Sequence, residues 1–154
     1  MGRFLALLVM LTAIATMISG CGSSHGNGAD GGHNDHNHSV VYKDGTYVAK
    51  SSPDERGAVG EIAITIEKGK ISKTEYKGIQ KDGKIKDKEY GMTNGKIENQ
   101  DYYDKAQLAL KATGTYTARL VETQSVAEVD AISGATVSFN QFTEAAKKAL
   151  GQAK

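Results

Sequence analysis

Ile62-Ala63-Ile64-Thr65-Ile66-Glu67-Lys68-Gly69-Lys70-Ile71-Ser72-Lys73-Thr74-Glu75-Tyr76 is the stretch on which the fold class turns. Three isoleucines alternate with Ala63, Thr65 and Glu67. A period of two is the signature of a strand with one face buried, and it is incompatible with a helical stripe. Lys68-Gly69-Lys70 then supplies a turn, and Ile71 to Tyr76 reads as the returning strand, so the segment predicts an antiparallel hairpin. Upstream, Lys43-Asp44-Gly45 is a turn signal and Gly45-Thr46-Tyr47-Val48-Ala49 predicts a further strand. The segment from Ser51 to Gly60, with the chain's one Pro, is a polar loop; Gly78 to Gly95 is Lys-rich and punctuated by Gly, with Tyr90, Gly91 and Met92 inside it.

Downstream of the hairpin the period changes. Asn99 is placed to cap a helix over about 100–111, with Tyr103, Ala106 and Leu110 on one face and Gly114 as its stop. Residues 116–123 predict a second short helix presenting Leu120 and Val121. Ser138 followed by Gln141 predicts a capping box for a last helix, in which Phe139, Phe142, Ala145, Ala146, Ala149 and Leu150 recur at helical spacing. Lys147 and Lys148 suit the negative end of that helix, and Gly151 is expected to close it. Strands followed by helices predict an α+β domain, a small antiparallel sheet packed against C-terminal helices, over residues 40–154.

The segment with chemical character is Asp130-Ala131-Ile132-Ser133-Gly134-Ala135-Thr136, just ahead of the last helix. Two hydroxyls in a turn of small residues before a helix N-terminus outline an anion site. Free backbone N–H groups and the helix dipole favour negative charge there, and Gly134 and Ala135 let a ligand approach the backbone. The same residues also suit an ordinary turn into a helix, and by themselves they leave both readings open.

Asp-x-x-Ser-Gly-Ala-Thr followed by a helix resembles the signature of the FMN-binding domain family. That family includes the C and G subunits of sodium-pumping NADH:quinone reductases and Rnf complexes, and flavin-carrying lipoproteins of extracellular electron transfer. The similarity extends over most of residues 42–150, through the Asp44-Gly45-Thr46-Tyr47 opening and the hairpin. It implies covalent FMN, joined through its phosphate to the hydroxyl of Thr136 by an FAD:protein FMN transferase. It further implies that Ser133, Gly134 and Ala135 shape the phosphate turn and that Asp130 is the acidic position the transferase recognises. A flavin also needs a partly apolar, partly aromatic slot. Tyr47, Tyr90, Met92, Gly57 and Gly60 are the candidates, and each also reads as a packing or turn residue.

The N-terminal residues carry a different kind of information. Behind the cation Arg3, Phe4 to Ile18 is an apolar run of 15 residues, about 22 Å as a helix and short of the ~30 Å needed to span a bilayer. With small residues after it, it reads as a signal peptide over residues 1–20. Ile18-Ser19-Gly20-Cys21 resembles the lipobox of bacterial lipoproteins, which implies lipidation of Cys21 and an anchor in membrane lipid on the extracytoplasmic face. Residues 21–39 form a Gly-, His- and Asn-rich tether too polar to fold, with a root-mean-square reach of about 24 Å. His25, His33, His36 and His38 all lie there, so a loose metal site on the tether is open, as is a plain solvated spacer.

Composition sets the outer limits. The chain has 154 residues, Lys+Arg 19 against Asp+Glu 18, one Cys and no Trp. A net charge of +1 points to no nucleic-acid partner, and one Cys excludes an internal disulfide or a thiolate cluster within the chain. The folded part has no His and no Gly-rich dinucleotide fingerprint, which argues against an NADH site of its own. The expectation is an electron carrier rather than a self-contained enzyme. It would take electrons from a quinone-linked or NADH-linked membrane donor and pass them to an external acceptor. The rival expectations are a solute- or metal-binding surface lipoprotein that uses the His-rich tether, and a structural surface antigen.

Overall fold

The alternating isoleucines form the middle strand of a three-stranded antiparallel meander. The computed structural model describes residues 41–154. The apolar run, Cys21 and the tether histidines therefore lie outside the described residues. Strands β1 (Gly45–Lys50), β2 (Val59–Glu67) and β3 (Lys70–Ile79) lie in the order β1-β2-β3. Ile62, Ile64 and Ile66 are at most 1% exposed, so the period of two in the sequence is the period of burial. Lys68 and Gly69 have φ of 54° and 74°, as a two-residue hairpin turn of the right twist requires. The Gly69 N–H donates to Asp44 Oδ1 at 2.8 Å, which fastens the entry to β1 onto the hairpin tip. That amide, with the Lys68 amide, holds the Asp44 carboxyl below its ordinary pKa. A bulge between Thr65 and Ile66 places Ile66 opposite Ile71, and both face the core.

Two helices cover one face of the sheet. α1 (Gln100–Thr123) lies against β3, and α2 (Thr136–Gln152) against β1 and β2. Tyr116, Leu120, Phe142, Ala145, Ala146 and Ala149 close over the isoleucines. The alanines allow α2 close to the sheet, while Tyr116 and Phe142, 5.5 Å apart between ring centroids, fill the centre. On the opposite face Glu61 bridges Lys77 at 2.6 Å and Lys50 at 3.1 Å, both its direct cross-strand partners.

The α+β architecture follows the sequence reading, while three helix details depart from it. Gly114 ends nothing: α1 runs through it as one helix of 24 residues. The cost of a mid-helix Gly, about 1 kcal/mol, is outweighed by the buried face formed by Ala112, Tyr116 and Leu120. The end falls at Gln124, which is left-handed and whose side-chain amide bonds both the N–H and the carbonyl of Ile71. Second, α2 begins two residues before Ser138, and no capping box forms, because Gln141 is buried and donates instead to the Ala58 carbonyl at 2.7 Å. Third, α2 passes Gly151 and ends at Gln152, so Lys147 and Lys148 stand before its last turn. Asn99 caps α1 as expected, accepting from the Tyr102 N–H at 2.9 Å.

Candidate functional site

Between the helices the chain makes a turn that is fixed below and open above. Val129 is buried, Asp130 and Ala131 are exposed, and the Ile132 N–H donates to the phenol oxygen of Tyr116 at 3.1 Å. Tyr116 belongs to the core, so the turn is fastened to the rigid centre of the domain. The Ala135 N–H closes back on the Ile132 carbonyl at 3.0 Å, and Gly134, third in the turn, has φ of 82°. A positive φ at that position is the type II signature and favours Gly strongly. Ala135 is 2% exposed and anchors the exit. Ser133, Gly134 and Thr136 are left exposed, with Thr136 as the first residue of α2.

Among the described residues no side chain caps the start of α2. Ala135 occupies the N-cap position without a side-chain hydrogen bond, and no acidic residue lies in the first turn. The helical ladder begins with the Phe139 N–H to the Ala135 carbonyl at 2.9 Å. The N–H groups of Thr136, Val137 and Ser138 precede it and point out of the helix, where a phosphate would find both donors and the positive end of the dipole.

Beside this turn runs a groove of about 740 Å³, within the range of small-molecule pockets. Gly134, Val137 and Ser138 form its edge next to Thr136. Its apolar strip is Tyr76, Ala106, Ala109, Leu110 and Val137; its far wall carries Arg56, Lys86, Tyr90 and Tyr102. Two cations lie over aromatic rings there. Arg56 is 5.5 Å from the Tyr102 ring and donates to its hydroxyl at 3.0 Å, and the Lys86 ammonium is 5.1 Å from the Tyr90 ring. Burial raises the Tyr76 pKa, with a smaller push from the Asp54 charge, so this phenol stays neutral. Burial lowers the Lys86 pKa against the opposing pull of Asp54.

The loop between β1 and β2 forms one lip of the groove, held by side chains distant in sequence. Glu144 of α2 accepts from Ser52 Oγ at 2.6 Å and from the Ser52 N–H at 3.0 Å. Lys148, at 2.8 Å, together with these two donors, holds the Glu144 carboxyl down at about 2. Asp54 accepts from the Arg56 and Ala58 N–H groups at 2.9 Å each, which curls the loop back toward β2. The segment after β3 is pinned to α1 by Gln107, which donates to the Tyr90 carbonyl at 2.9 Å.

The structure brings Ser133, Gly134, Ala135 and Thr136 together at one helix end, and leaves Asp130 exposed ahead of them and outside the groove lining. Of the candidates for the ring slot, Tyr90 lines the groove; Tyr47, Met92, Gly57 and Gly60 do not. Tyr47 instead donates to the Lys43 carbonyl at 3.0 Å. Gly60 acts indirectly, since a Cβ there would run into the Tyr76 ring that lines the groove. Tyr102, Arg56 and Lys86 carry no sequence motif that marks them for this groove, and Tyr76 and Gln141 are legible in the sequence only as hairpin and capping-box positions. The one signal for Tyr76, Lys86 and Tyr102 is the concentration of Tyr and Lys between residues 76 and 105. Donors at the helix end, an apolar strip for a flat ring and cations for its polar edge together fit a flavin nucleotide.

The comparison with family models agrees with this chemistry. A family model described as the FMN-binding domain matches residues 57–151, which takes in β2, β3, both helices and the turn before α2, though not β1. Among solved structures, the crystal structure of a protein from Clostridium perfringens is similar to this chain at 27% identity. It has a TM-score of 0.57 and covers 73% of this chain and 88% of its own. A solution NMR structure of a protein from Clostridium thermocellum is 29% identical, with a TM-score of 0.43, over 73% of this chain and 92% of that one. Comparison with the curated proteins gives no match.

Proposed function

The chain belongs to the FMN-binding domain family, and from that premise we propose that it is a lipid-anchored electron carrier with FMN joined covalently to Thr136. FMN is the cofactor; the phosphoester, the anchor at Cys21 and the relay from a membrane donor to an external acceptor are the further reading. The observation that carries it is an exposed Thr at the uncapped start of α2, next to a groove of flavin size.

Each residue of the turn has a part in this reading. Gly134 and Ala135 hold the backbone close to where the phosphate attaches, and the Tyr116–Ile132 bond keeps the turn in place while a transferase works on its exposed side. The N–H groups of Thr136, Val137 and Ser138 face the phosphate charge. Tyr76, Ala106, Ala109 and Val137 shelter one side of the ring system, while Arg56 and Lys86 face its polar edge. Bound flavin supplies the redox chemistry, and the protein supplies placement and electrostatics. Among the described residues no group of three or more His, Cys, Asp or Glu could hold a metal; the tether histidines of the metal-binding reading lie outside them. A tether between lipid and domain supports brief encounters with successive partners.

Co-expression with an FAD:protein FMN transferase tests this. The wild-type band is expected to fluoresce in a denaturing gel, and Thr136→Val, which keeps the β-branch and removes the oxygen, is expected to be dark. Equal fluorescence from the two would refute attachment at Thr136.

A further inference from the structure

Lys86 sits in surroundings unusual for a lysine. Its side chain is 12% exposed, and its backbone is fixed by a bond from its N–H to the Gly78 carbonyl at 2.8 Å. Gly78 makes room for the stem, since a Cβ there would come within 2.8 Å of Lys86 Cδ. The ammonium is 3.9 Å from Asp54 Oδ2, beyond hydrogen-bond reach, and the other Asp54 oxygen is taken up by two backbone amides. Among the described residues no acceptor lies within hydrogen-bonding distance of it. A lysine side chain this largely covered ordinarily finds acceptors for its donors. This one lines a groove and has instead the face of the Tyr90 ring and a carboxylate at ion-pair but not hydrogen-bond distance.

Resting on the reading of the groove as the flavin site, we propose that Lys86 is the residue that sets the redox potential of the bound FMN, its ammonium donating to the ring's carbonyl edge. Two-electron reduction adds two electrons and one proton to the oxidised ring and leaves one negative charge on its pyrimidine portion; the electrons come from the electrode or reductant used. A cation fixed in the wall of the groove stabilises that charge and has little effect on the neutral oxidised ring, so it favours the reduced form. Burial lowers the Lys86 pKa, so a developing anion nearby also restores the ammonium's own stability. Arg56 cannot replace it. Its guanidinium is engaged with the Tyr102 hydroxyl and ring, and the residue is exposed.

The test is a spectroelectrochemical titration at pH 7 of flavin-loaded wild type, Lys86→Met and Lys86→Arg, with circular dichroism to establish that each is folded. Lys86→Met is expected to favour the oxidised form by about tenfold, a downward shift of about 30 mV for a two-electron couple. Lys86→Arg, which keeps the charge, is expected to stay within about a third of that shift from wild type. A Lys86→Met potential equal to wild type would overturn the inference, as would a Lys86→Arg shift as large as that of Lys86→Met. The covalent reading fails separately. If wild type carries no phosphoester, the same titration on protein reconstituted with free FMN still reports on Lys86.

Discussion

The two helices of this domain begin in opposite ways. α1 is closed at its start by its own chain: the Asn99 side chain accepts from Tyr102, and Asp101 places negative charge in the first turn. α2 starts on Ala135 with no side-chain cap and no acidic residue. Both are long and packed on the same sheet, so packing does not account for the difference. One terminus satisfies itself, as a structural helix does; the other has no such cap among the described residues, which suits the proposed phosphate there. What replaces the cap at α2 is bracing from beneath, by Tyr116, Ala135 and the tight turn at Gly134.

The contrast can be broken first at the brace. Tyr116→Phe keeps the ring in the core and removes the acceptor of the Ile132 N–H, at an expected cost of about 1–3 kcal/mol. Urea unfolding measures that cost. Amide exchange at Ile132 and Ala135 is expected to accelerate while the first turn of α1 is unaffected; uniform acceleration across both helix starts would mean that Tyr116 braces the core in general. Gly134→Ala ranks next. With φ of 82°, a Cβ is expected to cost about 1–2 kcal/mol, with the loss again confined to the turn. Asn99→Ala is the control at the other helix. It is expected to lower stability by about 1 kcal/mol and leave flavin loading unchanged, and a fall in loading would show that the two termini are not independent.

The smallest effect concerns the groove's lip. Glu144 has its pKa depressed in the folded state, to about 2. The stability it contributes is therefore present above the ordinary carboxylate value of 4.5 and is lost as pH falls through about 2. Exchange at the Ser52 amide is expected to rise over that window in wild type. Glu144→Gln is expected to show fast exchange already at neutral pH; identical profiles would mean that the loop does not depend on this carboxylate.

How legible these features were in the sequence follows how local their causes are. The hairpin could be read because Ile62, Ile64 and Ile66 state the period of burial within five residues, and the turn at Lys68-Gly69 follows at once. The α1 cap at Asn99 was legible for the same reason. Gly114 misled because its neighbours on the buried face, Ala112, Tyr116 and Leu120, gain their energy from β3 and α2, distant in sequence. Ser138 and Gln141 misled because a buried loop carbonyl at Ala58 competed for the Gln141 amide and won. The turn at residues 130–136 was legible as a motif. The groove beside it was largely not, since Arg56, Tyr76, Lys86 and Tyr102 come from four separate segments that only the fold brings to one wall.

The most direct measurement is the mass of the tryptic fragment Leu120–Lys147, taken from protein isolated from its own membranes or co-expressed with the transferase. The account predicts a fragment heavier by one FMN less one water, with the added mass on Thr136. A fragment weighing no more than its amino acids, from protein whose host modifies other members of this family, would contradict it.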